Sequence, residues 1–278
     1  MTAGTTSPLP TGSFAEVIGD PVAQSKSPLI HCFWLKRLGI EADYRPTHVV
    51  PDGLAAYFAD RRGDPAWRGC NITMPHKLAA LEHADDPGDL AQSIGATNTV
   101  LRDGDRLIAT NTDAAGFYAP IADVDLTGAP VAVIGAGGAA RAVLFALSRC
   151  DIGPLTLIAR NPLKAAMLLS ALKLSGTTQV LDAPLPPARL LVNASPLGMA
   201  GNDAFAGDLG RLPPDGIVYD LVYDPLVTPL IEAAEARGLA TIDGLEMLVG
   251  QAAVAFELFF GVAAPREHDG ELRELLTS

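Results

Sequence analysis

Short apolar runs alternate with stretches in which apolar residues return every three or four positions, almost from end to end of the chain. This is the pattern of strands and helices laid down in βαβ order. Residues 14–19 predict a first strand. A helix follows, its start marked by Ser27 as N-cap and Pro28 at the first helical position, its end by Gly39. Residues 44–50 and 69–73 predict two more strands, and 54–61 and 76–82 two helices. Asp103-Gly104 predicts a hairpin turn between strands at 97–102 and 106–110. A fully apolar strand at 131–134 opens a second series, with further strands at 155–158, 190–193 and 217–220. Thr228-Pro229 opens a helix that Gly238 closes. The last long helix, 247–260, is apolar on most sides and should be buried by crossing back onto the first domain. The fold class is α/β, with two α/β domains.

Composition narrows the function classes. The 278 residues leave room for two domains of roughly 100–200 residues each. With 49% hydrophobic and 19% charged residues, a disordered, collagen-like or coiled-coil chain is excluded. The net charge of −12, with no cluster of Lys and Arg, argues against nucleic acid as a partner. Cys32, Cys70 and Cys150 lie far apart without a C-x-x-C spacing, which fits a reducing cytoplasm. Residues 1–13 lack the basic and apolar regions of a secretory signal and read as a frayed tail. The most apolar stretch, 131–147, is broken by Gly135, Gly137, Gly138 and Arg141, short of the ~20 apolar residues a bilayer span needs. No membrane segment is expected.

The strand at 131–134 runs into Gly135-Ala136-Gly137-Gly138-Ala139-Ala140 and a helix, the dinucleotide fingerprint of a Rossmann-like, doubly wound parallel sheet. Gly135 permits the tight turn, Gly137 lets backbone approach a pyrophosphate, and Ala140 stands at the helix-packing position. At the end of the next strand an NAD site places Asp or Glu on the ribose. Here Ile158-Ala159-Arg160-Asn161 carries no carboxylate, and Lys164 follows a turn later. Arg160 and Lys164 suit a ribose 2′-phosphate, so the cofactor expected is NADP; the plainer reading of Arg160 is a solvated side chain at a strand end.

In the first half, Ser25-Lys26-Ser27, residues 71–77, Asn98-Thr99 and Asn111-Thr112-Asp113 place small polar groups at strand ends. Singly such residues are mostly caps and turns; together they are what a small polyhydroxylated acid needs for orientation. Lys77, read as lying in the first turn of a helix, opposes the macrodipole there. Locally it reads equally as a solvated side chain and as a functional cation. His76 has no metal-ligand spacing to the other histidines and reads as a helix-start residue; no metal site is expected.

These motifs, with Ile18-Gly19-Asp20-Pro21, Gly95-Ala96-Thr97, Asn193-Ala194-Ser195-Pro196-Leu197-Gly198-Met199, Tyr219-Asp220-Leu221-Val222-Tyr223, Met247-Leu248 and Gln251-Ala252, span nearly the whole chain. In this order they resemble the shikimate dehydrogenase family. The resemblance implies reversible reduction of 3-dehydroshikimate by NADPH in chorismate and aromatic amino-acid biosynthesis, in a cleft between two domains. It assigns residues 1–115 and 247–278 to a substrate-binding catalytic domain and 116–246 to an NADP-binding domain. It implies that Ser25 and Ser27 hold the substrate carboxylate, and that Thr73, Asn98, Tyr223 and Gln251 contact the ring substituents or carboxylate. Lys77 and Asp113 face the reacting oxygen. Gly135, Ala136, Gly137, Gly138, Ala139, Arg141 and Arg160 hold the cofactor phosphates, with Met247 on the nicotinamide side.

Ala159-Arg160-Asn161 stands where the family commonly has Asn-Arg-Thr, keeping the arginine but losing two small polar helpers. The paired serines at 25 and 27 resemble shikimate enzymes, whereas quinate-using relatives often carry Thr at the second position. The alternatives are a quinate or aminoshikimate dehydrogenase and a non-catalytic sensor, against which Lys77 and Asp113 both stand. A cytoplasmic monomer or homodimer is expected, with a small-molecule substrate and no nucleic-acid or membrane partner.

Overall fold

The computed structural model describes residues 9–278. Of the expected N-terminal tail, 1–8 lie outside the described residues. Ser13 is held rather than frayed, its side chain buried and its hydroxyl donating to the Pro10 carbonyl at 2.7 Å. The chain forms two compact units, one made of the residues up to Thr112 together with Gln251–Ser278, the other of Asp113–Gly250. Asp113, expected in the first half, therefore belongs with the second, as does Met247.

The first unit contains β1 (Phe14–Gly19), α1 (Ser27–Leu38), β2 (Asp43–His48), α2 (Leu54–Arg62), β3 (Trp67–Ile72), α3 (Leu90–Ile94), β4 (Thr99–Asp103) and β5 (Arg106–Thr110). Its sheet runs β2-β1-β3-β4-β5, with β1, β2 and β3 parallel and β4 and β5 antiparallel. The antiparallel edge follows from the hairpin, since a short turn can only return the strand reversed. Asp103 pairs with Arg106, so the turn is Gly104-Asp105, one position later than expected.

Every residue of β1 is buried, as a parallel strand covered on both faces must be. That includes Glu16, whose carboxylate takes hydrogen bonds from Arg61 at 2.7 and 3.0 Å, Thr47 at 2.6 Å and Tyr57 at 2.8 Å. Burial pushes its pKa up, but these bonds and the Arg61 charge outweigh it and leave it lowered. Gly69 has a packing reason: a Cβ there would lie 2.5 Å from the Val100 carbonyl and 2.6 Å from the Phe259 ring.

Two expectations of local structure fail. Ser27 is the first residue of α1 rather than its cap; Lys26 holds the cap position in helical geometry without a side-chain bond, and the Ser25 hydroxyl accepts the Ser27 N–H at 3.3 Å. The segment 76–82 is no α-helix: turns over 74–78 lead into a short 3-10 helix, Ala79–Glu82. The His76 N–H bonds back to Thr73 at 3.0 Å and its ring to the Val49 carbonyl at 2.6 Å, which holds a tight turn in place of a first α-turn. Lys77 therefore stands in a turn and opposes no α-helix dipole.

The second unit contains α4 (Asp113–Tyr118), β6 (Val131–Ile134), α5 (Gly138–Leu147), β7 (Leu155–Ile158), α6 (Pro162–Ala171), β8 (Thr177–Gln179), β9 (Leu190–Asn193), β10 (Ile217–Asp220), α7 (Pro229–Glu235) and β11 (Ala240–Ile242). Its sheet is wholly parallel, in the order β11-β10-β9-β6-β7-β8. Strand order reverses between β6 and β9, the switch point at which a doubly wound sheet receives its ligand. Thr228 caps α7 as expected, its hydroxyl accepting the Ile231 N–H at 3.2 Å.

The helix α8 (Gly244–Phe260) carries the chain from the second unit back into the first, and α9 (Asp269–Thr277) completes the latter. It is not buried all round, because Val254 and Leu258 are 39% and 42% exposed. The Lys26 ammonium donates to the Leu276 carbonyl at 2.6 Å, near the C-terminal end of α9 where a cation is favoured.

Candidate active site

In the first unit the expected residues collect at the carboxyl ends of β1 and β3 and beside the start of β4. Gly19 ends β1, and a Cβ there would lie 2.4 Å from the Thr73 methyl, so only glycine lets the two strand ends come this close. The Thr73 N–H donates to Ile18 at 2.9 Å and the Asp20 N–H to Met74 at 3.0 Å, which ties the loop bearing Ser25 and Ser27 to the turn bearing Thr73 and Lys77. The Lys77 carbonyl accepts the Thr97 N–H at 2.8 Å, so the lysine backbone is fixed against the segment leading to Asn98. His76 beside it is buried, and because a carbonyl only accepts, its Nε2 carries the proton that bonds Val49. His76 is thus an anchor for this turn rather than a helix start.

Asn98 and Gln251 are buried in the same unit, the Asn98 Nδ2 lying 3.4 Å from the Gln251 Oε1. Behind them stand Tyr44, Asn71, Thr99 and Thr112. Sequence reading names three of these only as polar members of motifs and does not find Tyr44 at all. The available signal was a polar atom at strand positions that the alternation buries.

In the second unit, Gly135 adopts φ +114°, and a Cβ on it would lie 2.6 Å from the Ala194 carbonyl just beyond β9. It closes the turn at the switch point. A Cβ on Gly137 would meet nothing within 4 Å, so open space faces the backbone there. Gly138 and Ala139 begin α5, Ala136 stands in the turn, and Ala140 is fully buried. This is the arrangement in which helix N–H groups receive a phosphate. Arg141 is half-buried in the first turns of α5, and burial pushes its pKa down. A cation placed against the positive end of a helix is at a disadvantage that an anionic ligand would relieve.

Arg160 and Lys164 are exposed at the end of β7 and in the first turn of α6. Asn161 is the α6 cap: its Oδ1 accepts from Leu163 and Lys164 N–H at 3.0 and 3.1 Å. The Asn161 side-chain oxygen is thus committed to capping α6.

Tyr223 follows β10, and burial, with the Asp224 charge, pushes its phenol pKa up, keeping it a neutral donor. Its loop is held by a carboxylate absent from the expected site residues. Asp220, fully buried, accepts from Asn193 Nδ2 at 2.8 Å, the Val222 N–H at 3.0 Å and the Thr228 hydroxyl at 2.6 Å. Burial raises its pKa against these bonds. Asn193 in turn accepts the Ser195 hydroxyl at 2.7 Å, so one network locks the ends of β9 and β10. Met247 is buried in α8, and Asp113 begins α4.

The model of the shikimate dehydrogenase substrate binding domain matches residues 17–100, and that of the shikimate 5′-dehydrogenase C-terminal domain matches 244–268. Over 266 residues the chain is 64% identical to the shikimate dehydrogenase (NADP(+)) of Sphingopyxis alaskensis, covering 95% of this chain and 97% of that protein. The crystal structure of shikimate 5-dehydrogenase from Thermus thermophilus in complex with NADP(H) and shikimate superposes with a TM-score of 0.85 at 37% identity, covering 95% and 99% of the two chains. Quinate dehydrogenase from Corynebacterium glutamicum in complex with NAD gives the same TM-score at 28% identity, over 95% and 99%. With identity this high along nearly its whole length, the chain belongs to the shikimate dehydrogenase family.

Proposed function

We propose that this protein is an NADP-dependent shikimate dehydrogenase, interconverting 3-dehydroshikimate and shikimate in chorismate and aromatic amino-acid biosynthesis. The observation that carries this reading is the 64% identity, over 95% of the chain, to a shikimate dehydrogenase (NADP(+)). The second unit fits the cofactor: open space faces Gly137, a helix N-terminus follows, and Arg160 and Lys164 stand where no carboxylate competes for a ribose 2′-phosphate. When bound, the nicotinamide supplies or accepts the hydride.

The roles proposed for the chain's own residues follow from their chemistry. Ser25 and Ser27 hold the substrate carboxylate by donated hydrogen bonds, and Thr73, Asn98, Tyr223 and Gln251 orient the ring. Lys77, with Asp113, gives a proton to the carbonyl oxygen on reduction or stabilises the alkoxide as it develops. The residues at 135–139, with Arg141, Arg160 and Lys164, hold the cofactor phosphates, and Met247 lies on the nicotinamide side. The free thiols Cys32, Cys70 and Cys150 support a cytoplasmic enzyme, acting as monomer or homodimer. The test is reduction of NADP with shikimate and with quinate side by side. Turnover of shikimate is expected, and its absence would overturn the reading.

A further inference from the structure

Six buried side chains of the first unit are joined in a chain of hydrogen bonds. The Tyr44 hydroxyl bonds Asn71 Oδ1 at 2.6 Å, and Asn71 Nδ2 bonds Thr99 Oγ1 at 3.1 Å. Thr99 Oγ1 bonds Asn98 Oδ1 at 3.0 Å, and Asn98 Nδ2 bonds Thr112 Oγ1 at 2.8 Å. Thr112 Oγ1 and Asn98 Nδ2 both lie 3.4 Å from Gln251 Oε1.

Backbone groups force the direction of this chain, because an N–H only donates and a carbonyl only accepts. The Thr112 N–H points at Asn98 at 2.7 Å, which makes the Asn98 atom there the oxygen. The Asn98 carbonyl faces Asn71 at 3.4 Å, which makes the Asn71 atom there the nitrogen. Thr99 therefore receives from Asn71 and must give its proton to Asn98. The other end of Asn98 is then its NH2, which donates to Thr112 and toward Gln251, so Gln251 must turn its oxygen inward. Burial pushes the Tyr44 phenol far above its ordinary range, which keeps it a neutral donor at the origin of the chain.

We infer that Tyr44, Asn71, Thr99 and Thr112 are positioning residues that fix the polarity of Asn98 and Gln251, turning the Gln251 oxygen inward. This rests on the proposed function, since it makes those two amides part of the shikimate site.

The test uses the full-length protein and steady-state kinetics with shikimate and NADP. Thr99→Val keeps the side-chain size and removes the hydroxyl; Thr99→Ser returns it. Thr99→Val should raise KM for shikimate ~5–20-fold, with KM for NADP unchanged and Thr99→Ser within ~2-fold of the wild type. Tyr44→Phe should raise the same KM and add little to Thr99→Val, because the chain is already cut.

A Thr99→Val enzyme with wild-type KM for shikimate, or a loss that Thr99→Ser does not restore, would overturn the inference. Equal rises in both KM values would do the same by marking a merely structural fault. Should Thr99→Val fail to fold, an unchanged shikimate KM in Tyr44→Phe overturns it as well. Indifferent variants of an enzyme that turns over shikimate refute the relay alone, whereas a wild type inactive on shikimate refutes the function beneath it.

Discussion

Lys77 owes its position to its neighbours: its carbonyl is held by the Thr97 N–H and the preceding His76 is pinned to Val49, so the stem leaves a fixed backbone. Lys77→Met keeps much of the stem and deletes the ammonium, so the protein should fold while kcat falls by ~10²–10⁴-fold with KM changing much less. Asp113→Asn should also lower kcat, and on the roles proposed for the pair the double variant should lose less than the product of the two. A folded Lys77→Met enzyme with near-normal kcat would remove Lys77 from the chemistry. Ser27 gives a second residue-scale case, now that it is the first residue of α1 and makes no cap bond. Ser27→Ala should raise KM for shikimate by ~5–50-fold, the loss of a hydroxyl contact to a charged group, and leave the melting temperature unchanged. A lower melting temperature with unchanged KM would return the hydroxyl to a structural role.

Among the elements, the network around Asp220 holds a strand end and a helix start together. Thr228→Val removes the α7 cap and one of the Asp220 donors in a single change, and denaturant unfolding should show a loss of ~1–3 kcal/mol. Shikimate KM should rise as well, since the same network sets the loop of Tyr223; unchanged stability would show that the cap and the carboxylate have other partners. The elements that sequence made legible were those with a strong local signal. The apolar strands at 131–134, 155–158, 190–193 and 217–220 match the observed bounds, and Gly39 ends α1 in the left-handed conformation. Edge strands β8 and β11 carry no such signal, being three residues long and partly exposed. The helix expected at 76–82 failed because tertiary bonds of His76 outweigh local propensity. The motifs brought most candidate residues into view singly, but which of them share a hydrogen-bonded layer depends on register: Asn71 opposes Thr99 across β3 and β4, a pairing no local pattern reveals.

At the scale of the whole molecule, His31 and Glu16 act on the response to acid with the same sign, while buried Asp220, its pKa raised, acts against them. His31 is fully buried and stacked on Tyr44 at 3.9 Å between ring centres, with neither ring nitrogen hydrogen-bonded. Burial lowers its pKa from 6.5 to about 3. The unfolded chain therefore takes up this proton before the folded one does, so stability is complete above pH 6.5 and is lost as pH falls toward 3. Glu16, its pKa lowered below the ordinary 4.5, adds a loss as pH falls through that value and below. His31→Phe keeps the stack and should flatten the stability curve between pH 6.5 and 4.5, leaving the Glu16 limb; equal slopes in the two proteins would contradict this. The most direct test of the proposed function is kcat/KM of the wild-type enzyme for shikimate and quinate, each with NADP and with NAD. Shikimate with NADP should give the highest value of the four; a preference for quinate or for NAD, or no turnover of shikimate at all, would contradict the assignment.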